Sequence, residues 1–542
     1  MPVLNRAGHG RAHNPVTQDS LPEMPELPIL PRVVGLEDQS WPLHGAQGSR
    51  TVEACAARAL PAHTLMQRAG LAVARLAAAL APHAGRIDVL AGPGNNGGDG
   101  WAAARELHLQ GRAVRVLCSA HPQRLPADAA WARQAALDEG VPHGTLETLA
   151  SPGATPPADL VVDALLGLGT TRPAEGGLAE AIAWVNACGH AVLAVDLPSG
   201  LDADTGQPLG PAVRATHTLA VLTLKPGLFT AQGRDHAGCV WFDALGVAPT
   251  AEAAVAMLPS RRDACDAWPA RAHGTHKGSF GDVWVIGGAR GMTGAAWLAA
   301  QAAAAAGAGR VYCSLLDDEA PAWPAGHPEL MSKASAWTAP PESMRDVTVV
   351  AGCGGGTAIA AALPALLAHA GRLVLDADAL NAIAAEPSLQ DRLRARGARA
   401  RPTVITPHPL EAARLLGCPV SQVQADRIAA AQELSSRLGC VAVLKGSGTV
   451  VASPAHLPSL NSTGNALLAS PGSGDVLAGW MGGTWSTLVG RVDDAARAAA
   501  VASAWLHGHA ADRALTAGRL LPLLAGELPG AMRQALAGAQ SA

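Results

Sequence analysis

The residues best suited to chemistry fall into two glycine-rich clusters, one in each half of the chain. Gly92-Pro93-Gly94-Asn95-Asn96-Gly97-Gly98-Asp99-Gly100 opens with the spacing GxGxxG. Glycines there let backbone amides approach a phosphate, and a following helix N-terminus favours an anion. Asp163 ends an apolar run in DALLGLGTTRP, and Asp196 and Ser199 end another in DLPSGLDADTG. Asn96, Asp163 and Ser199 together offer hard oxygen ligands to a cation, although each alone suits a turn or cap. In the second half, Pro471-Gly472-Ser473-Gly474-Asp475 opens a helical pattern. Its amides can gather on an anionic oxygen, with Asp475 placed to take a proton from a hydroxyl attacking a phosphoryl group. The plainer use of such an Asp is to complement the helix dipole. Lys445-Gly446-Ser447-Gly448-Thr449 lies between two β-rich runs. That is a hairpin turn whose Lys, amides and hydroxyls also suit nucleotide phosphates. It is not GxxxxGK[ST], so a P-loop reading fails.

These residues need elements to hold them. A buried strand over 87–91 leads into the first glycine turn, a helix over 101–110 follows, and a strand over 113–119 returns. Apolar runs at 160–165, 191–197 and 217–224 read as further strands ending at Gly, Pro or Ser, the pattern of a parallel sheet covered on both faces. Ahead of them, residues 51–83 form one or two amphipathic helices with Leu65, Met66, Ala69 and Val73 near one face. Irregular text at 247–272 marks a boundary. A second series follows, with strands over 282–288, 310–316, 346–356, 372–380, 402–409 and 440–453, a helix over 294–306 and a last glycine turn into a helix at 471–483. The halves are not copies. The expected organisation is a flexible proline-rich extension over 1–36, one α/β domain over 37–250, a linker over 251–272 and a second, unlike α/β domain over 273–542.

Composition narrows the function class. The 542 residues carry 40 Lys and Arg against 44 Asp and Glu, a net charge of -4, which gives no polybasic surface for nucleic acid or membrane. With 13 Trp, 3 Phe and 1 Tyr, the chain is poor in base-stacking platforms. Nine cysteines with no CxxC pair read as reduced core thiols, so a cytoplasmic location is expected and a zinc or disulfide framework is not. The first residues have no apolar core of signal-peptide type, and the alanine-rich stretch 295–309 contains Gln301, so no membrane span is expected. A hydride-transferring dehydrogenase is disfavoured. The strand after the first glycine turn ends Leu117-Cys118-Ser119, with no acid to hold a ribose hydroxyl.

GPGNNGGDG, LMQRAG (65–70), DALLGLG, DLPSGLDADTG and LKPGLFT (224–230), over roughly 40–250, resemble the epimerase domain of NAD(P)H-hydrate repair enzymes. HKG (276–278), GGARGMTGAA (287–296), DADALN (376–381), TPHPLEAARLLG (406–417), KGSGT and GSGD, over about 273–515, resemble the ADP-dependent NAD(P)H-hydrate dehydratase domain. The resemblance implies a Rossmann-like three-layer αβα domain followed by a ribokinase-like α/β domain. In the first, it implies hydrate binding by Asn95, Asn96, Gly97, Gly98 and Asp99, with a second binding loop of Gly167, Leu168, Gly169, Thr170, Thr171, Arg172 and Pro173. Asp196 would face the substrate as a catalytic residue that handles the proton, and Asn96, Asp163 and Ser199 would hold potassium (K+). In the second, it implies ADP binding by Lys445, Gly446, Ser447, Gly448, Thr449 and Gly474. Hydrate binding would fall near Ala295, Gly354, His408 and Asp475, with Asp475 catalytic and Mg2+ accompanying the nucleotide. His408 alone, in the rigid TPHP, reads as a structural loop histidine. The sequence departs from the family pattern at Gln67, commonly Glu, at GCGGG (352–356) for GPGLG, at GNALLASPGSGD (464–475), and at GRLLPLL (518–524), which lacks an acid after its first Leu pair.

The implied function is bifunctional repair: interconversion of the R and S hydrates of NADH and NADPH, and ADP-driven dehydration of the S form to AMP and phosphate. Its partners would be these small molecules, with neither nucleic acid nor membrane, and the chain is expected to form a homo-oligomer. A ribokinase-type small-molecule kinase fused to an accessory nucleotide-binding domain is the main alternative, and a non-catalytic nucleotide-binding regulator a weaker one.

Overall fold

The computed structural model describes residues 32–34, 39–119, 125–150, 158–266, 268, 270–321 and 326–541. Most of the extension expected over 1–36 lies outside the described residues. Within it, Arg32 and Val33 pair antiparallel with Phe242 and Trp241 at a sheet edge. The extension is therefore not flexible throughout: an unpaired edge offers main-chain partners to any neighbouring segment.

The chain builds two α/β units. In the first sheet the spatial order is Arg32–Val33, Cys239–Asp243, His217–Val221, Ala191–Val195, Leu160–Ala164, Ile87–Ala91, Val114–Cys118 and His143–Thr145. All pairs are parallel except the first. Ile87–Ala91 and Leu160–Ala164 are buried along their whole length, as apolar runs covered on both faces must be. The chain runs outward from Ile87–Ala91 in one direction, then returns beside it at Leu160–Ala164 and runs outward in the other. Loops leaving those two carboxyl ends part to opposite sides and leave a crevice, the place where open parallel sheets bind ligands. The nine-residue glycine run and the 165–173 loop are these two exits.

The second sheet runs Met331–Ser332, Arg310–Leu315, Asp282–Gly287, Thr348–Ala351, Arg372–Leu375, Thr403–Ile405, Val441–Leu444, Val450–Ser453, His456–Leu460, Ala256–Leu258 and Trp41–Leu43. It is parallel as far as Val441–Leu444 and antiparallel on to His456–Leu460; Ala256–Leu258 then adds parallel and Trp41–Leu43 antiparallel. The helix Ser473–Leu488 packs on Thr293–Ala305 and Ala495–Thr516 across one face.

Two expected boundaries need correction. The region expected as a linker holds the strand Ala256–Leu258 and the capped helix Arg261–Cys265. Trp41–Leu43, expected in the first domain, pairs with that strand and closes the second sheet. Trp41 and Leu43 are buried there, so apolar burial outweighs the poor strand propensity of Pro42 between them. The two units also share a polar seam. Arg234 donates to the carbonyls of Ser462, Thr463 and Gly464, at 2.9, 3.3 and 2.6 Å. Ala231 donates its N–H to Ser447, and Ser447 Oγ donates back to the Ala231 carbonyl. Among the described residues, no helix is long and apolar enough to cross a membrane.

Candidate functional site

The first crevice is a cavity of about 740 Å³. Asn95, Asn96 and Asp99 line it from the first turns of the helix Asn95–Leu109, the loop 165–173 lines it from the other side, and Asp196 closes the floor. The helix begins at Asn95 rather than 101, because its first turn packs without side chains in the way. Gly97 lies against the Gly92 carbonyl, and Gly98 against Ala129 and Met66. Those two glycines therefore shape the turn from beneath rather than line the cavity. Arg50, on the helix Ala46–Ala59, donates to the Leu168 carbonyl and ties the second loop down.

Asp196 sits in the left-handed region with φ 68°, an uncommon backbone for a residue other than Gly. Its carboxylate receives the ammonium of Lys225, which also donates to the carbonyls of Val221 (3.0 Å) and Thr223 (2.8 Å). Both side chains are buried. Burial raises the Asp99 carboxyl well above the usual carboxylate range, and the negative Asp196 and Glu53 push it further. Burial also raises Glu53. The cavity thus sets a carboxyl that burial pushes toward its protonated form beside a carboxylate held by a buried ammonium. Lys225 and Glu53 were not legible as site residues. Lys225 ends an apolar run just before Pro226, and a lone lysine there is the signal that was available. Gln67 is exposed and lies outside the cavity lining.

Below the cavity, Asp163 is fully buried. It accepts Ser199 Oγ at 2.6 Å, the Ser199 N–H at 2.9 Å and the Leu165 N–H at 3.2 Å. Burial raises its pKa to about 6, against the pull of those hydrogen bonds. Asn96 Nδ2 and Ser199 Oγ both donate to the Leu166 carbonyl, while Asn96 Oδ1 is buried with no hydrogen-bond partner among the described residues. A buried carboxylate, a hydroxyl and an orphaned amide oxygen meeting at one loop fit a cation that prefers oxygen.

The second cluster forms at the carboxyl ends of Thr348–Ala351, Arg372–Leu375 and Val441–Leu444. Asp376 is buried and accepts Thr406 Oγ1 and Lys445 Nζ, each at 2.7 Å. Lys445 Nζ also reaches within 3.3 Å of where a Cβ on Gly474 would stand, so the KGSGT and GSGD turns meet. Cys353 Sγ and carboxylate oxygens of Asp376 and Asp475 all lie within 4.8 Å of one another. Burial, then the charge of Asp376, raises Asp475 to about 6. Burial opposes the charge on Lys445, but Asp376 and Glu411 outweigh it and raise its pKa. Arg427 supports the KGSGT loop from within through the carbonyls of Leu444, Lys445 and Gly448. Gly446 is exposed, whereas Ser447 is tied to Ala231 by its carbonyl and hydroxyl and Gly448 is pressed on the Phe229 carbonyl. Ala295 and Gly354 are neighbours, the Ala295 Cβ standing 2.8 Å from where a Cβ on Gly354 would be.

His408 is first a helix cap. Its Nδ1 accepts the N–H groups of Leu410 and Glu411, and its Nε2 faces Glu411 Oε1 at 3.1 Å. An acid does stand near the last helix: Glu527 accepts the Leu524 N–H and pairs with Arg519. The Cys353, Asp376 and Asp475 group does not fit Mg2+. Its thiol is held protonated by burial, and Asp376 is already engaged by Lys445 and Thr406. A second cavity of about 650 Å³ lies at the seam between the units, away from Asp475.

Comparison with known proteins gives two adjoining family matches. Residues 62–227 match the YjeF-related protein N-terminus, and residues 283–528 match NAD(P)H-hydrate dehydratase. The bifunctional NAD(P)H-hydrate repair enzyme Nnr of Escherichia coli (strain K12) is 37% identical over 476 residues, spanning 85% of this chain and 87% of that protein. The bifunctional NAD(P)H-hydrate repair enzyme of Leishmania braziliensis is 37% identical over 466 residues, 79% of this chain and 82% of that protein. Among solved structures, the ADP/ATP-dependent NAD(P)H-hydrate dehydratase of Bacillus subtilis, co-crystallised with ATP/Mg2+, matches at 26% identity with a TM-score of 0.43. It covers 52% of this chain and 97% of that one.

Proposed function

The chain belongs to the bifunctional NAD(P)H-hydrate repair enzymes, and from that premise we propose how its two sites divide the work. The protein epimerises the R and S hydrates of NADH and NADPH, and dehydrates the S hydrate with ADP to give AMP and phosphate. Family membership favours this activity over a kinase of ribokinase type. The observation that carries the division is the convergence of Asn95, Asn96, Asp99, the 167–173 loop and the Asp196–Lys225 pair on one cavity, separate from Asp475.

In the first site the hydrate binds between the two loops, with its C6 carbon toward Asp99 and Asp196. The ring nitrogen pushes out the C6 oxygen, and Asp99, whose carboxyl burial pushes toward the protonated form, gives its proton so that the oxygen leaves as water. Water returns to either face of the planar centre. Asp196, oriented by Lys225, takes the proton of the returning water, and exchange with solvent resets the pair. Asn96, Asp163 and Ser199 would hold a potassium ion, which supplies fixed positive charge beneath the two binding loops.

In the second site Lys445 to Thr449 and Gly474 hold the ADP phosphates, with any Mg2+ carried by the nucleotide, while Ala295, Gly354 and the His408 cap border the hydrate. Asp475 takes the proton of the C6 hydroxyl as its oxygen attacks the terminal phosphorus of ADP, and AMP leaves. The new phosphate ester departs as phosphate with help from the ring nitrogen, and loss of a C5 proton restores the double bond. A general base contributes about 10²–10⁴-fold in rate. Asp475→Asn therefore loses dehydration by that factor and keeps epimerisation, and Asp196→Asn does the reverse. The two variants mixed in one tube recover all of a mixed hydrate sample. Dehydration by Asp475→Asn at the wild-type rate would remove Asp475 from this role.

A further inference from the structure

Cys353 carries the single side chain in the loop Gly352-Cys353-Gly354-Gly355-Gly356, and its main chain is held against the neighbouring strand. The Gly352 N–H donates to the Ile286 carbonyl at 3.0 Å, and the Cys353 carbonyl accepts the Gly288 N–H at 2.9 Å. A Cβ on Gly287 would stand 2.3 Å from that same carbonyl, so the loop is pressed directly onto the neighbouring strand. The thiol is fully buried beneath the second site, with its sulfur within 4.8 Å of the Asp376 and Asp475 carboxylates.

We propose that Cys353 is a positioning residue for dehydration, its thiol donating to the Asp475 carboxylate and holding it turned from Asp376 toward the substrate hydroxyl. The assignment rests on Asp475 being the dehydration base. The two carboxylates are not equally provided for. Asp376 has Thr406 and Lys445, whereas the donor that stands beside Asp475 is the buried Cys353 thiol, its sulfur within 4.8 Å of that carboxylate. Burial holds the thiol far above its ordinary pKa, and both carboxylates push the same way, so it stays a donor. The groups facing Asp475 are Asp376 and Asp378 from the end of Arg372–Leu375, Lys445 from the end of Val441–Leu444, and Cys353. Beyond Lys445 stand His408 and Glu411. On the far side of the helix entry, His507 Nε2 lies 3.1 Å from the Ser473 carbonyl. Of these neighbours, Cys353 and Lys445 favour the ionised form of Asp475, and both Asp residues oppose it.

The test is the pH profile of dehydration of the S hydrate with ADP, measured on the full chain as wild type, Cys353→Ala and Cys353→Ser. In Cys353→Ala the acid limb moves to higher pH. One hydrogen bond changes the acid dissociation constant about 3- to 10-fold, so the rate at pH 6 falls about 2- to 6-fold, and the rate at pH 8 stays within about 2-fold. The KM for ADP and the epimerisation rate are unchanged, and Cys353→Ser, which keeps a donor, restores the wild-type limb. If the alanine chain does not fold, Cys353→Val supplies the arm without a donor. An acid limb unmoved by loss of the donor, or moved equally by Ser and Ala, overturns the proposal. Full dehydration by Asp475→Asn would instead overturn the reading beneath it, so the two failures are told apart.

Discussion

At the scale of single residues, each site depends on a carboxyl group whose protonation is set by burial. Desolvation first, and the Asp376 charge second, raise Asp475 to about 6. A general base must be ionised, so dehydration is complete above that pH and falls as the pH drops through about 6. The dependence of kcat/KM on pH reads this in the free enzyme. In the first site, Lys225→Met leaves a buried carboxylate without its counter-ion. Loss of one partner of a buried pair costs about 3–5 kcal/mol, so the variant should unfold at lower denaturant and lose epimerisation. Wild-type epimerisation in this variant would show that Asp196 needs no ammonium. Asp163, Asp196 and Asp475 were legible because each follows an apolar run or glycine turn. Lys225 and Asp376 were not. What makes them functional is a partner 29 residues away for Lys225 and 69 residues away for Asp376, and no local pattern encodes that distance.

At the scale of elements, the glycine turns place the carboxyl groups, and they do so by close backbone packing. A methyl at Gly97 would sit 2.0 Å from the Gly92 carbonyl. Gly97→Ala should therefore open the turn, lose most epimerisation and keep dehydration, which separate assays of the two steps would show. Apolar runs predict most central strands to within a residue or two. They overshoot where a strand feeds a site: 346–356 shrinks to Thr348–Ala351, and 372–380 to Arg372–Leu375, because the residues beyond leave the ladder to form loops. Asn95–Asp99 read as a turn but are helical. Glycine costs helix propensity in water, yet here its lack of a side chain is what lets the first turn pack. Trp41–Leu43 and Ala256–Leu258 were missed altogether. Three residues, one set interrupted by proline, carry no periodicity, and only the sheet edge they complete makes them strands.

At the scale of the whole molecule, the two units are not beads on a string. Trp41–Leu43 crosses from the start of the first unit to the edge of the second sheet, and the Arg234 fork closes the seam opposite. Removing that guanidinium takes the donor from the Ser462 and Gly464 carbonyls, while Thr463 keeps Asn461 Nδ2. Arg234→Ala should cost about 2–3 kcal/mol and lower the melting temperature without abolishing either activity. An unchanged melting temperature would mean the seam contributes nothing to stability. The unlike character of the two halves was legible in their different glycine grammars, but the shared edge was not, since it joins segments more than 200 residues apart.

The central claim is that two sites on one chain act in sequence on the same damaged coenzyme. It is tested most directly by giving the wild-type protein a mixture of R and S hydrates and following the return of reduced-nicotinamide absorbance. With ADP, the account predicts recovery of all the hydrate, and with Asp196→Asn recovery only of the S portion. Recovery that stops at the S portion with the wild-type chain, or proceeds without any nucleotide, would contradict it.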